Sequence, residues 1–506
     1  MTLLAGLIAT AMLAATAPPV PLEQRFADLR KHPGELYAFL LAMPKGADLH
    51  SHLTGAVYAE TYLRIAAEDG LCVDTRTYGL IARPTVPSGK LPCGDNAADA
   101  ALLRTDNNLA SAVIDSLSMR DFVAGRESAH DHFFATFARF GPSRPEHAGE
   151  LLGEVIQRAA DQNESYLELM VLNGTAANAL GSQIGFNGDF DQTKQQLLAA
   201  GLPQVVNAMR ARVDQLEQGR MAALSCGTHP DSAACRVGVG YLYQILRESP
   251  KEQIFAQTLA GFMLASEDPR VVGVTIVQPE DGLVSMRDYR LQMKMIGYAK
   301  RLYPKVHLSL HAGELSSGLV PPEGLRFHIR DAMETGGAER IGHGADIAYE
   351  TGATALAADM KKRRILVEIN LTSNDLILGL RGQDHPFPFY RKTGVPVALS
   401  TDDEGVSRTH LTQEFWRATL DYGLSYSDLK EMVRNSVEYS FVPGASFWRN
   451  GNYQLRAAPC TAGIKSSACQ AFLETNQKAR LQADLEERFA RFEAAPDHGL
   501  KPTTAR

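Results

Sequence analysis

The chain has 506 residues, 45% of them hydrophobic, and a formal charge of −7. That length accommodates a large core, in one elaborated barrel or in two to three smaller domains. An acidic balance with mixed signs along the chain gives nucleic acid no electrostatic footing as a main partner.

The first charged side chain is Glu23, and the run before it is apolar and rich in small residues. It is short for a membrane span and carries an A-x-A-like site at Ala15-Thr16-Ala17, so residues 1–17 read as a secretory signal peptide. No Lys or Arg precedes the apolar run, which leaves an uncleaved N-terminal anchor as the alternative. Residues 18–42 read as a helical extension packed outside the first strand. The expected location is periplasmic or secreted, with no stable membrane insertion once the signal is removed. The six cysteines support export. They fall into near-neighbour pairs, Cys72 with Cys93, Cys226 with Cys235 and Cys460 with Cys469, and proximity alone suggests this pairing among 15 connectivities.

Short β-branched runs follow, each ending in polar, chemically capable residues: "ADLHSH" (47–52), "SYLELMV" (165–171), "RVGVGYLY" (236–243), "VVGVTIV" (271–277), "VHLSLHAGE" (306–314), "RIGHG" (340–344), "ILVEINLTSN" (365–374) and "VPVALSTDDE" (395–404). Amphipathic stretches long enough for helices separate most of them. Eight strands alternating with helices predict an α/β fold, a (β/α)8 TIM-type barrel with helical and disulfide-containing insertions. The barrel is expected over 43–441, with insertions near 72–110 and 205–235. The segment "DHFFATFARF" (131–140) and Trp416 read as packing, the former also as a possible lid. Ser427 is the expected N-cap of the helix in "YSDLKEMVRNSVEYSFV". A C-terminal extension, 442–506, carries an amphipathic helix over 479–495 and a loose last ten residues.

Residues two apart on a strand share a face, so His50 and His52 point together into a barrel mouth. One H-x-H is weak evidence, because most such pairs are structural. His311, His343 and the Asp402-Asp403 pair at later strand ends change the weight. Three imidazoles and one carboxylate suit a single divalent ion with a position left for water. Individually each group has an ordinary explanation: Asp402 or Asp403 as a helix cap, His343 as a loop histidine, Glu314 as a surface acid.

"MPKGADLHSHLTGA", "HAGE", "RIGHG", "LTSN", "STDDE" and "NSVEYSF", in this order, resemble the adenosine/AMP deaminase family of metal-dependent barrel hydrolases. The signal-like start and the added length are most similar to its secreted, growth-factor-related branch and bacterial relatives. The resemblance implies hydrolytic deamination of a 6-aminopurine nucleoside, adenosine or 2′-deoxyadenosine, by a hydroxide formed at one Zn²⁺. It implies His50, His52, His311 and Asp402 as metal ligands, and Glu314 as the acid that protonates purine N1. His343 would take the water's proton and stabilise negative charge, while Asp403 would bind N7 and orient the attacking oxygen. It also raises a homodimer through residues 20–42.

Departures concern the substrate pocket. Thr54 stands where many members carry an acid that bonds the ribose 5′-hydroxyl, which suits a looser or 5′-modified nucleoside. Gln278 stands where a glycine usually lets the backbone approach the base, and Thr275 where an Asp is usual. Gln278 therefore joins Thr54 and Asp403 as a substrate-contact candidate. Two alternatives remain at this level: a metal-dependent barrel hydrolase of another modified purine or nucleotide, and a secreted, non-catalytic binding protein on the same fold.

Overall fold

The computed structural model describes residues 21–495 except 87, 88, 126, 144 and 145. The signal-peptide reading of residues 1–17 and the loose last ten residues lie outside the described residues.

Eight parallel strands form one sheet in chain order: β1 (Gly46–His52), β2 (Glu164–Asn173), β3 (Gly238–Leu246), β4 (Val271–Val277), β5 (His307–Ala312), β6 (Arg340–His343), β7 (Leu366–Ile369) and β8 (Val397–Leu399). Most of their Val, Ile and Leu side chains are buried, on both faces, as a sheet wrapped by helices requires. The barrel nearly closes on itself. At the seam, Asp402 N donates to His50 O (2.8 Å) and His52 N donates to Asp402 O (3.1 Å). Asp48 reinforces it by accepting from Thr401 Oγ1 (2.6 Å) and N (3.1 Å). The segments that join the two ends of the sheet are thus the H-x-H and Asp-Asp motifs themselves.

Two helices form in the N-terminal extension, and two others matter for the site and its surroundings, one between β1 and β2 and one between β2 and β3. Helices α1 (Leu22–Leu29) and α2 (Pro33–Ala42) begin after Pro21 and with Pro33, whose fixed φ suits a first helical turn. Helix α3 (Ala129–Arg139) starts at Ser128, whose side chain accepts from Asp131 N. Helix α4 (Leu202–Ala223) occupies much of the expected 205–235 insertion, and Cys226–Cys235 closes the loop after it.

Helices α5 (Tyr426–Glu438) and α6 (Gln477–Ala494) join the two terminal extensions. Phe39 on α2 meets Phe492 on α6 with ring centroids 5.0 Å apart, and Phe26 meets Tyr426 at 6.0 Å. Lys430–Glu493 (2.5 Å) and Arg434–Glu486 (2.7 Å) pair across α5 and α6. The cap of α5 corrects the sequence reading. It is Ser425, not Ser427, because only Ser425 has an acid three residues on and closes a reciprocal capping box with Asp428. Ser427 instead bonds Glu23 on α1.

All three expected cysteine pairs are bonded, Cys72–Cys93, Cys226–Cys235 and Cys460–Cys469. The first ties the 72–110 excursion, a three-stranded antiparallel patch of 72–74, 80–81 and 97–99. Among the described residues no helix is long and apolar enough to cross a membrane.

Candidate active site

The strand ends deliver their polar side chains to one point. His50, His52, His311 and Asp402 offer ligand atoms that all lie within 4.8 Å of one another. His52 Nε2 is 3.1 Å from His311 Nε2, and Asp402 Oδ1 is 3.3 Å from His52 Nε2 and 3.5 Å from His50 Nε2. A tetrahedral ion with bonds near 2.0–2.1 Å spaces its ligands about 3.3 Å apart, so these residues fit one small divalent cation. His50 Nε2 is buried and has no hydrogen-bond partner, as a nitrogen facing an ion would be.

The electrostatics agree. Burial opposes charge on His50, yet Asp402 and Glu368 overcome it and push its pKa up to about 10. Burial drives His52 down to about 4 and His311 well below the usual histidine range. The carboxylates thus favour positive charge at this point, and burial disfavours protonating His52 and His311.

Groups behind the imidazoles fix their orientation. His50 Nδ1 lies 2.7 Å from Glu368 Oε2. Glu368 Oε1 accepts from Ser309 Oγ (2.7 Å) and Arg340 Nε (2.6 Å), and Arg340 Nη2 reaches Glu168 Oε2 at 2.6 Å. This carboxylate–guanidinium–carboxylate chain is buried in the barrel; losing one member would strand a charge at about 3–5 kcal/mol. His311 Nδ1 lies 3.1 Å from Thr275 Oγ1, and Asp402 Oδ2 accepts from Ser373 Oγ at 2.6 Å. A histidine ligand held through its other nitrogen keeps its ring aimed.

Beside the cation pocket sit Glu314, His343 and Asp403. Glu314 Oε1 is 3.7 Å from His343 Nε2, which is 4.0 Å from Asp402 Oδ2. Burial, with Asp402 and Glu280 nearby, raises the Glu314 pKa well above the carboxylate range. Glu280 also shapes the turn, accepting from Gly313 N (3.1 Å) and Glu314 N (2.9 Å). Burial and Asp402 likewise raise Asp403, whose Oδ1 is buried without a partner. Asp403 heads the short helix 404–407 but makes no capping bond, so the helix-cap explanation does not hold for it.

A chain of hydrogen bonds sets the tautomer of His343. Phe387 N donates to His385 Nδ1 (3.1 Å), so the neutral His385 ring carries its proton on Nε2. That proton goes to Asn374 Oδ1 (3.0 Å), which turns the Asn374 amide nitrogen toward His343 Nδ1 (2.9 Å). His343 Nδ1 accepts, and Nε2–H faces the pocket; this tautomer suits a hydrogen-bond donor, which corrects the proton-taking role that the resemblance implies for His343. Burial drives the His343 pKa down to about 3, which keeps the ring neutral.

His343 and Asp402 stand at φ 65 and 61, and Gln278 at φ 85, left-handed values uncommon outside glycine. All three lie at or just past strand ends at the mouth. The chain at Gln278 therefore keeps a glycine-like path, and its side-chain oxygen accepts from Glu248 N (3.0 Å). Thr54 sits in a single helical turn whose backbone carbonyl accepts from Tyr62 Oη at 2.6 Å. The adjoining Gly55 has a steric reason: a Cβ there would lie 1.6 Å from Asp403 Oδ1.

Helix α3 packs against helices 371–378 and 404–407, which follow β7 and β8. His130 on α3 reaches across to Asp281, beyond β4, at 3.0 Å. The segment therefore roofs the mouth. Glu368, Arg340, Ser373, Asn374 and His385 were not singled out from sequence. The available signal was a charge inside an apolar strand run, Glu368 in "ILVEI" and Glu168 in "SYLEL".

Comparison with known proteins gives one family and consistent neighbours. Residues 143–446, more than half of the chain, match the family described as adenosine deaminase. An adenosine deaminase from Clostridium perfringens is 24% identical over 406 residues, covering 79% of this chain and 95% of that protein. Two solved structures share the fold: an adenine deaminase from Arthrobacter aurescens (TM-score 0.52, 16% identity, 88% of this chain and 99% of that one) and an N6-methyl-AMP deaminase from Arabidopsis thaliana (TM-score 0.51, 21% identity, 80% and 94%). His50 and His52 precede the matched span, and the barrel seam brings them to it.

Proposed function

The chain belongs to the adenosine deaminase family and is a metal-dependent aminohydrolase, and from that premise we propose that it deaminates adenosine or 2′-deoxyadenosine to the 6-oxo nucleoside and ammonia. The observation that carries this reading is Glu314: a buried carboxyl, its pKa pushed up by burial, 3.7 Å from His343 and beside a pocket shaped for one cation.

His50, His52, His311 and Asp402 would hold the ion, with zinc the proposed occupant. When bound, such an ion lowers the pKa of its water from 15.7 to about 7 and so supplies a nucleophile at neutral pH. Glu314 donates its proton to purine N1, which draws electrons from C6 and prepares it for attack. His343, with Nε2–H aimed inward, hydrogen-bonds the incoming oxygen and steadies its negative charge. Purine N7 only accepts hydrogen bonds, so Asp403 must carry a proton to bind it, and its raised pKa supports that form. The water's two protons balance the step: one restores Glu314, and the other joins the amino group as the C6–N bond breaks, so that ammonia leaves and the oxygen stays on C6 as the carbonyl. Helix α3 covers the mouth and keeps bulk water out.

A second reading concerns the 5′ end. Thr54 brings no charge where an acid would repel a phosphate, which favours a 5′-modified nucleoside as the alternative substrate. Three disulfides support action outside the reducing cytoplasm.

The test is a panel of adenosine, 2′-deoxyadenosine, AMP, N6-methyl-AMP and adenine with metal-loaded protein, read by ammonia release and loss of adenine-type absorbance. Turnover of the nucleosides is expected, and Glu314→Gln should abolish it with metal retained. A fully metallated protein that leaves the whole panel unchanged would sink the proposal.

A further inference from the structure

A second cavity lies at the opposite end of the barrel. It occupies about 730 Å³ between the starts of β2 and β3 and the side of α6. The catalytic groups sit at the far, C-terminal ends of the strands, so this cavity is not part of their pocket.

Its lining is cationic. Arg236 comes from the turn before β3, and Arg480, Arg488 and Arg491 come from one side of α6. Arg236, Arg480 and Arg491 are exposed, and no carboxylate partner is found for them among the described ion pairs. Arg488 is anchored: it donates to Asn163 O (2.8 Å) and bonds the side chains of Asn163 and Ser165. Burial lowers its pKa, Asp484 opposes that, and Arg491 and Arg236 lower it further, so the guanidiniums lie close enough to feel one another. Two acids share the lining, exposed Asp484 and buried Glu164. Burial raises the Glu164 pKa well above the carboxylate range, which weakens its offset.

The cluster is held in place. Arg236 directly follows the Cys226–Cys235 disulfide, and α6 is clamped to α5 by Arg434–Glu486 and Lys430–Glu493. Arg236 also donates to Asp231 O, and in a chain of net charge −7 four guanidiniums facing one cavity attract an external counter-charge. Planar guanidiniums match phosphate oxygens bidentately, and the volume exceeds what one phosphate fills.

We propose that this cavity binds a phosphorylated small molecule, with Arg480 and Arg491 supplying the free guanidiniums and Arg488 the fixed one. The proposal stands apart from the deaminase reading, because no group here touches the catalytic pocket.

The test is calorimetric titration of the full-length, metal-loaded protein with inorganic phosphate and with uridine monophosphate, a nucleotide lacking the 6-aminopurine. Saturable one-to-one binding that weakens with salt is expected for at least one probe. Arg480→Ala with Arg491→Ala should weaken it at least ten-fold, with thermal midpoint and nucleoside turnover unchanged. Tighter binding of the nucleotide would identify a nucleoside phosphate as the ligand, and equal binding a free phosphate group. Absence of saturable binding by both probes, or a double variant that binds like the parent, would overturn the proposal.

Discussion

Asn374 donates its side-chain N–H to His343 Nδ1 across 2.9 Å, and this contact decides which ring nitrogen faces the substrate. Asn374→Asp preserves the bond from His385 but replaces the donor with an acceptor. His343 would then carry its proton on Nδ1 and present a bare Nε2. Turnover should fall about 10²-fold or more, with KM little changed. Nitrogen NMR of the imidazole should report the switched tautomer; an unchanged tautomer with full activity would remove His343's assigned role.

Thr275 touches His311 through a neutral hydroxyl. Thr275→Val keeps the shape and leaves His311 Nδ1 unpartnered in a fully buried site. Metal affinity is expected to drop about 10–100-fold, measured by competition with a chelating dye. An unchanged dissociation constant would mean that other packing aims the ring.

Gly55→Ala tests the fit of Asp403. The added methyl would lie 1.6 Å from Asp403 Oδ1 and 2.7 Å from its Cβ, so the carboxyl must move. A shift of about 1 Å can cost roughly 10²-fold in rate, and that loss is expected with metal content intact. Unaltered kinetics would show that Asp403 does not act from its present position.

His130 links the roof to the far side of the mouth. Burial opposes its charge, but Asp281 and Asp131 raise its pKa from 6.5 to about 9. Glu248 also lies near Asp281, and the Phe134 ring packs 4.9 Å away. Because the folded pKa is the higher one, the contact's stabilisation is fully present below pH 6.5 and is lost as pH rises through about 9. Discounted for solvent screening, it is worth about 1 kcal/mol. The stability gap between the parent and His130→Gln should therefore be open at pH 6 and closed at pH 10, by chemical denaturation. A gap independent of pH would assign the contact to packing.

The barrel was legible because each strand announces itself twice, by a β-branched run and by the polar residue that ends it. "VHLSLHAGE" and "RIGHG" supply both β5 and β6 and the side chains they deliver. The supporting groups were less legible for a physical reason. Asn374 meets His385 eleven residues on, and His130 meets Asp281 across 151 residues, through folds of chain that leave no periodic trace. Arg340 opens the "RIGHG" motif, yet its role depends on two glutamates from other strands. Ser425 was legible by a different mark, the acid three residues on, which closes the capping box that Ser427 lacks.

The clasp of the barrel is also its workplace. His50, His52 and Asp402 knit the first staves to the last while offering their side chains to an ion. Whatever cation settles there rivets the hoop shut, with an added stability that grows with its concentration. Resistance to heat and resistance to chelators are then one property, seen with two instruments.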